Sequence, residues 1–309
     1  MSQIPSPSNP QSDRKTRIIF GCGYVGQRVA ELWRQEGQRV LAVTRSNQRA
    51  KELEKLGVEP IVWDWLESPS IPPRLDSHGS PLPLATVLVA VTHAAPSHAL
   101  GLSHAAAWIN PQGSSHHPRW IYLSTTGVFA TPATAEASAR WVDENSSVGP
   151  TRPGSANALQ AEQWIEHSGF EHVILRPAGI YGPGRIPNIQ PIRDGQPLQV
   201  DPDSYLNLIH VDDLAQVIAS VSQGPVKHSL YCVSDGNSAK RRDYYAFIAQ
   251  KLNLPVPQYS ECSSLENIGR RGQANKQVSN RRLMEDYSIR LEYPDYRSGL
   301  SSLIEEMSQ

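Results

Sequence analysis

The segment Ile18-Ile19-Phe20-Gly21-Cys22-Gly23-Tyr24-Val25-Gly26 decides how this chain is read. An apolar run ends in G-x-G-x-x-G, and Gln27-Arg28-Val29-Ala30-Glu31-Leu32-Trp33 continues at helical spacing. Strand, glycine turn and helix in that order form a site for a dinucleotide. Gly21 permits the tight turn, Gly23 lets the backbone approach a pyrophosphate, and Gly26 lets the helix pack close to the strand. Tyr24 and Val25 open the helix, whose N-terminus offers unpaired N–H groups and a positive dipole end to phosphates. The alternative is a glycine turn between strand and helix with no ligand.

Outward from this segment, apolar runs alternate with helical patterns. Strands are expected at residues 17–20, 40–44, 60–63, 85–91, 120–124 and 172–175, with helices near 25–36, 48–56 and 156–167. Such alternation implies an α/β protein: a Rossmann, doubly wound parallel sheet with helices on both faces. The stretches 67–84 and 130–154, rich in Ser, Pro, Thr or Gly, read as loose connections. After Arg176 the pattern turns irregular, with a helix near 212–222, a strand at 229–233 and a helix at 242–252. The expected organisation is a disordered tail at 1–14, a dinucleotide-binding domain at 15–176, and a last part at 177–309. That last part holds the interleaved final strands and a small C-terminal substrate cap.

Bulk properties narrow the function. A formal net charge of −1 over 309 residues offers no polycationic surface, so no nucleic-acid partner is expected. Cys22, Cys232 and Cys262 form no disulfide framework, which fits a reducing cytoplasm. His93, His98, His104, His116 and His117 lack the spacing of a zinc set, so no metal is expected. Residues 1–13 carry no apolar core of a signal peptide, and no apolar run approaches a membrane span. Trp63, Trp65, Trp108, Trp120, Trp141 and Trp164 read as core or partly buried residues, with Trp65 placed to border an adenine.

The second strand ends Ala42-Val43-Thr44-Arg45-Ser46, with no Asp or Glu to accept from ribose hydroxyls. Arg45, followed by Arg49, suits a 2′-phosphate, so NADP is expected in preference to NAD. A surface arginine without a ligand is the alternative. Asp64 is placed to reach the adenine amino group or to cap a turn.

Four ordered motifs now stand together: Gly21-Cys22-Gly23-Tyr24-Val25-Gly26, Leu123-Ser124-Thr125-Thr126-Gly127-Val128-Phe129, Leu175-Arg176-Pro177-Ala178-Gly179-Ile180-Tyr181-Gly182-Pro183-Gly184-Arg185, and Ile209-His210-Val211-Asp212-Asp213-Leu214-Ala215. They resemble the extended short-chain dehydrogenases, also called the NAD-dependent epimerase/dehydratase family. The resemblance implies that Thr125 is the catalytic Ser/Thr that hydrogen-bonds a substrate oxygen. It implies that Ser124, Pro177 and Ile180 border the cofactor, and that Tyr181 and Arg185 face the substrate. His210, Asp212 and Asp213 match the segment joining cap to sheet, with His210 on the substrate side. Asp212 also reads as a helix N-cap. Family members are commonly dimers, and a homodimer is compatible with the helical pattern.

The family's Tyr-x-x-x-Lys is absent. No tyrosine lies between Tyr122 and Tyr181, and no lysine between Lys55 and Lys227. Setting the family's helix glutamate on Glu162 places Gly154 and Ala158 where the pair belongs, and Phe129 replaces a further family tyrosine. Losing a general acid costs on the order of 10²–10⁴ in rate. Tyr181 is one candidate for that proton; stacking on substrate or packing in the cap is its alternative. His93 is another, with a surface loop as its alternative. Two functions are therefore open. One is an NAD(P)-dependent oxidoreductase or nucleotide-sugar-type epimerase/reductase, acting on a small carbonyl or alcohol. The other is a non-catalytic NADP-binding protein, a redox sensor or assembly subunit.

Overall fold

The computed structural model describes residues 15–67, 84–93, 98–110, 117–130, 140–260 and 275–307. The expected tail, Cys262, His116 and most of the first loose connection lie outside them. The first half builds β1 (Thr16–Phe20), α1 (Tyr24–Gln35), β2 (Arg39–Thr44), α2 (Asn47–Lys55), β3 (Glu59–Val62), β4 (Leu84–Val89), α3 (His98–Ile109) and β5 (Arg119–Leu123). After β6 (Arg140–Val142) and α4 (Pro153–Glu166), β7 (His172–Pro177) returns to the sheet. Next come β8 (Gly179–Tyr181), α5 (Ile189–Arg193), β9 (Tyr205–Leu206), β10 (Leu208–His210), α6 (Val211–Gln223) and β11 (Leu230–Val233). The chain closes with β12 (Ala239–Lys240), α7 (Arg241–Lys251), β13 (Lys276–Val278), α8 (Arg281–Tyr287) and α9 (Tyr296–Glu306).

The principal sheet has seven strands in the order β11-β7-β5-β4-β1-β2-β3. All its pairings are parallel. Every residue of β1 is buried, because helices cover both faces and leave no solvated side to the strand. One core, containing Ile19, Val29, Trp33, Leu214 and Ile218, lies under α1 and α6; a second contains Phe20, Trp63, Trp108, Trp120 and Ile174. The chain reverses its direction of winding between β1 and β4, and in such sheets ligands bind at the carboxyl ends of the strands at that reversal. The expected doubly wound Rossmann architecture is the observed one.

A third core gathers Tyr181, Leu208, Tyr244, Tyr245, Tyr296 and Leu300 among the later elements. Three small pairs accompany it: β8–β10 and β6–β13, both parallel, and β9–β12, antiparallel.

Some sequence expectations need correction. The strand expected at 85–91 ends at Val89. The expected loose stretch 130–154 contains β6, which becomes a strand only by pairing with the distant β13. Trp141 on β6 is 57% exposed and belongs to no core, whereas Trp65 is buried edge-on against Phe20 at 5.0 Å. Trp65 is thus part of the core.

Candidate functional site

The glycine turn sits where the sheet reverses. Gly21 has φ of +91°, and a Cβ there would fall 2.5 Å from Val91 Cγ1 and 2.7 Å from the Ala90 carbonyl oxygen. A Cβ at Gly26 would fall 2.7 Å from the Gly21 carbonyl oxygen. Chain packing therefore demands both glycines. Gly23 differs: a Cβ there meets nothing within 4 Å. Its missing side chain leaves open space beside the start of α1, which has no side-chain cap and no acidic residue in its first turn. Unpaired N–H groups and bare backbone suit a pyrophosphate.

Two further observations fit a dinucleotide. Asp64 Oδ1 is buried without a hydrogen-bond partner, as an acceptor waiting for an amino group would be. Arg45 is exposed at the end of β2, with no hydrogen-bond or ion-pair partner among the described residues. Arg49 is committed locally: Nη2 donates to the Cys22 carbonyl oxygen at 2.9 Å and Nη1 pairs with Glu52 at 2.6 Å. Ser46 Oγ caps α2 by accepting from the Arg49 N–H.

At the end of β5, Ser124 is 2% exposed and donates to Glu162. Glu162 also binds Arg176 through both oxygens, at 3.0 and 2.6 Å. This buried chain ties β5, α4 and β7 together under the site, and the Arg176 guanidinium lies 5.0 Å from the Phe129 ring. Thr125 is half-buried, and its Oγ1 accepts from the Gly127 N–H at 3.0 Å. That bond leaves the hydroxyl proton free to donate outward.

Of the two positions that lack the tyrosine and lysine, Gly154 is half-buried and only Ala158 is closed by packing. A Cβ at Gly154 falls 3.3 Å from the His93 carbonyl oxygen, and Ala158 is fully buried. His93 Nε2 lies 3.0 Å from the Leu123 carbonyl oxygen, and burial holds its pKa below the usual histidine value. Asn157 Nδ2 donates to the His93 carbonyl at 3.1 Å.

The remaining candidates do not gather at the end of β5. Tyr181 is fully buried in the third core, its hydroxyl 3.5 Å from the Asp295 carbonyl oxygen and facing Gly299 of α9. Burial and the nearby Asp235 raise its pKa far above that of a free phenol. This is the packing alternative, and it leaves the phenol no opening to a substrate. His210 is also buried, its ring tilted 39° against the Tyr293 ring at 3.8 Å, with burial lowering its pKa to about 4. His210, and not Asp212, is the N-cap of α6: its Nδ1 accepts from the Asp212 N–H. The Asp212 carboxylate instead pairs with Arg28 of α1 at 2.6 Å. Arg185 is exposed and lies 5.5 Å from the Tyr24 ring, and the Tyr24 hydroxyl donates to the Pro183 carbonyl. Arg185 therefore stands over the first turn of α1. Pro177 is buried at the end of β7 and Ile180 is half-buried.

Comparison with known proteins agrees with this geometry. A family model described as NAD(P)H-binding matches residues 21–225, well over half of the chain. The chain belongs to the NAD(P)H-binding family. As an NAD(P)H-binding protein it has the fold of the extended short-chain dehydrogenases that its four motifs resemble. A conserved protein of unknown function from Silicibacter pomeroyi is 26% identical, with a TM-score of 0.75, covering 96% of this chain and 100% of that one. The human epimerase family protein SDR39U1, solved with NADPH, has a TM-score of 0.71 at 17% identity, covering 94% and 99% of the two chains. The Escherichia coli protein YeeZ is 27% identical over 179 residues, 58% of this chain and 60% of YeeZ. The match thus spans less than two thirds of that relative's length. Among the described residues no helix is long and apolar enough to cross a membrane.

Proposed function

We propose that this protein is an NADP-dependent oxidoreductase that acts on a small carbonyl or alcohol compound, nucleotide sugars included. The observation that carries the reading is Thr125: a partly exposed hydroxyl at the carboxyl end of β5, its oxygen already engaged by Gly127 and its proton free. When bound, the dinucleotide would supply or accept hydride at its nicotinamide. The open backbone at Gly23 and the start of α1 would hold the pyrophosphate, Asp64 the adenine amino group, and Arg45 the 2′-phosphate. Thr125 would donate to the substrate oxygen. The proton that completes the alcohol must come from outside positions 154 and 158, whose side chains carry none.

The first experiment compares NADPH with NADH binding in the native chain and in Arg45→Ala. A charge-assisted contact supports a loss of roughly tenfold or more in NADPH affinity, with NADH unchanged. Equal affinity for both cofactors in the native protein would overturn the NADP assignment. Turnover with NADPH over nucleotide sugars and small carbonyls then tests the chemistry, and an unchanged rate in Thr125→Ala would remove that residue's role. Gly154 and Ala158, which carry neither phenol nor ammonium, favour a second reading, a protein that binds NADP without catalysis. NADPH binding with no turnover on any compound would support it.

A further inference from the structure

Lys276 opens β13 and is only 8% exposed. Its Nζ donates to the Thr126 carbonyl oxygen at 2.6 Å, one residue from Thr125, and lies 5.5 Å from the Phe129 ring. An ammonium carries three donors. Among the described residues that carbonyl is its only hydrogen-bond acceptor, and no carboxylate pairs with it. Burial lowers its pKa to about 8, and the charges of Arg152 and Arg140 push the same way. The Cys232 thiol acts against them, but burial keeps that thiol protonated.

A buried cation without a counter-ion is costly, and a neutral amide would satisfy the Thr126 carbonyl at less expense. In its charged form Lys276 would gain from an anionic partner, which the described chain does not supply. Arg152 is held at the same turn, its Nη2 donating to Ser155 Oγ at 3.3 Å. At Gly127, a Cβ would stand 2.6 Å from Arg152 Nη2, 2.5 Å from Ser155 Oγ and 3.3 Å from Thr125 Oγ1. Two cations and two hydroxyls thus flank residues 125–127, at the half-exposed end of β5.

We infer that Lys276, with Arg152, binds an oxyanion beside Thr125, and that the substrate is an acid bearing a carboxylate or phosphate close to its reacting carbon. The word substrate rests on the oxidoreductase reading above, while the anion site itself does not. Calorimetric titration of the full chain with sodium acetate, inorganic phosphate and neutral acetamide tests it, without and with saturating NADPH. Acetate or phosphate should bind and acetamide should not; the tighter of the two anions names the group. Lys276→Gln should weaken anion binding roughly tenfold or more, and Lys276→Arg should retain it. Acetamide binding as well as acetate, neither anion binding, or an unchanged affinity in Lys276→Gln would each overturn the inference. NADPH affinity, measured on the same samples, reports folding of the variants. If Lys276→Gln loses NADPH as well, the Lys276→Arg variant decides: failure to bind the anion while still binding NADPH counts against the site. Failure of the native chain to bind NADPH would sink the oxidoreductase reading and leave the anion result standing alone.

Discussion

The Glu162–Arg176 pair should be the most sensitive electrostatic element of this fold. Both side chains are almost entirely out of solvent, at 2% and 5% exposure, and two hydrogen bonds of 3.0 and 2.6 Å join them. Ser124 spends its hydroxyl on the same carboxylate. Glu162→Leu would leave the guanidinium buried without a partner, which costs about 3–5 kcal/mol. The orphaned Ser124 hydroxyl adds a smaller loss, of about 1 kcal/mol. With a urea m-value near the upper end of the usual range, about 3 kcal/mol per molar, the unfolding midpoint should fall by roughly 1 M or more. Adding Arg176→Met removes the stranded charge and should recover most of that loss, since apolar replacement of a whole buried pair is often neutral or stabilising. Urea unfolding followed by tryptophan fluorescence, on both single variants and the double, completes the cycle. A midpoint shift below about 0.3 M for Glu162→Leu, or a double variant no more stable than the single, would refute the reasoning.

Other consequences are open to measurement. Gly23→Ala places its Cβ in open space, so stability should change by no more than about 0.5 kcal/mol while NADPH affinity falls; Gly21→Ala, at φ +91° against Val91, should destabilise by about 1–3 kcal/mol. His98 and His210, both buried and held near a pKa of about 4, stay neutral when folded. Below the unfolded value of about 6.5 the unfolded chain binds more protons, so each contributes stability that is lost as pH falls from there toward 4, by up to about 3 kcal/mol. Urea midpoints across that window should therefore converge between the native chain and a variant carrying His98→Gln and His210→Gln as pH drops; a constant difference would refute it. Gly154→Tyr with Ala158→Lys should not create a working proton donor, because Ala158 is fully buried and a lysine there would destabilise the fold by several kcal/mol. A stable double variant with enhanced NADPH turnover would show that the packing tolerates the missing pair.

Local chemistry made part of this protein readable from its residues alone. The glycine turn depends on neighbours within a few positions, so strand, turn and helix could be assigned in order, and the alternation of apolar runs carried the parallel sheet with them. The absence of a Tyr-x-x-x-Lys pair was legible for the same reason. Tertiary packing decided the rest. Tyr181 looks available in sequence, but α9 covers its hydroxyl through Gly299 and turns it into core. Asp212 reads as a cap, yet Arg28, 184 positions away, takes its carboxylate and His210 takes the cap. Lys276 has no motif at all, and it reaches Thr126 across 150 positions only once β13 pairs with β6. Periodicity and turn chemistry are short-range, so a sequence exposes them. Which buried charge meets which acceptor is settled only when distant elements dock and exclude water, as when β13 carries Lys276 to the Thr126 carbonyl.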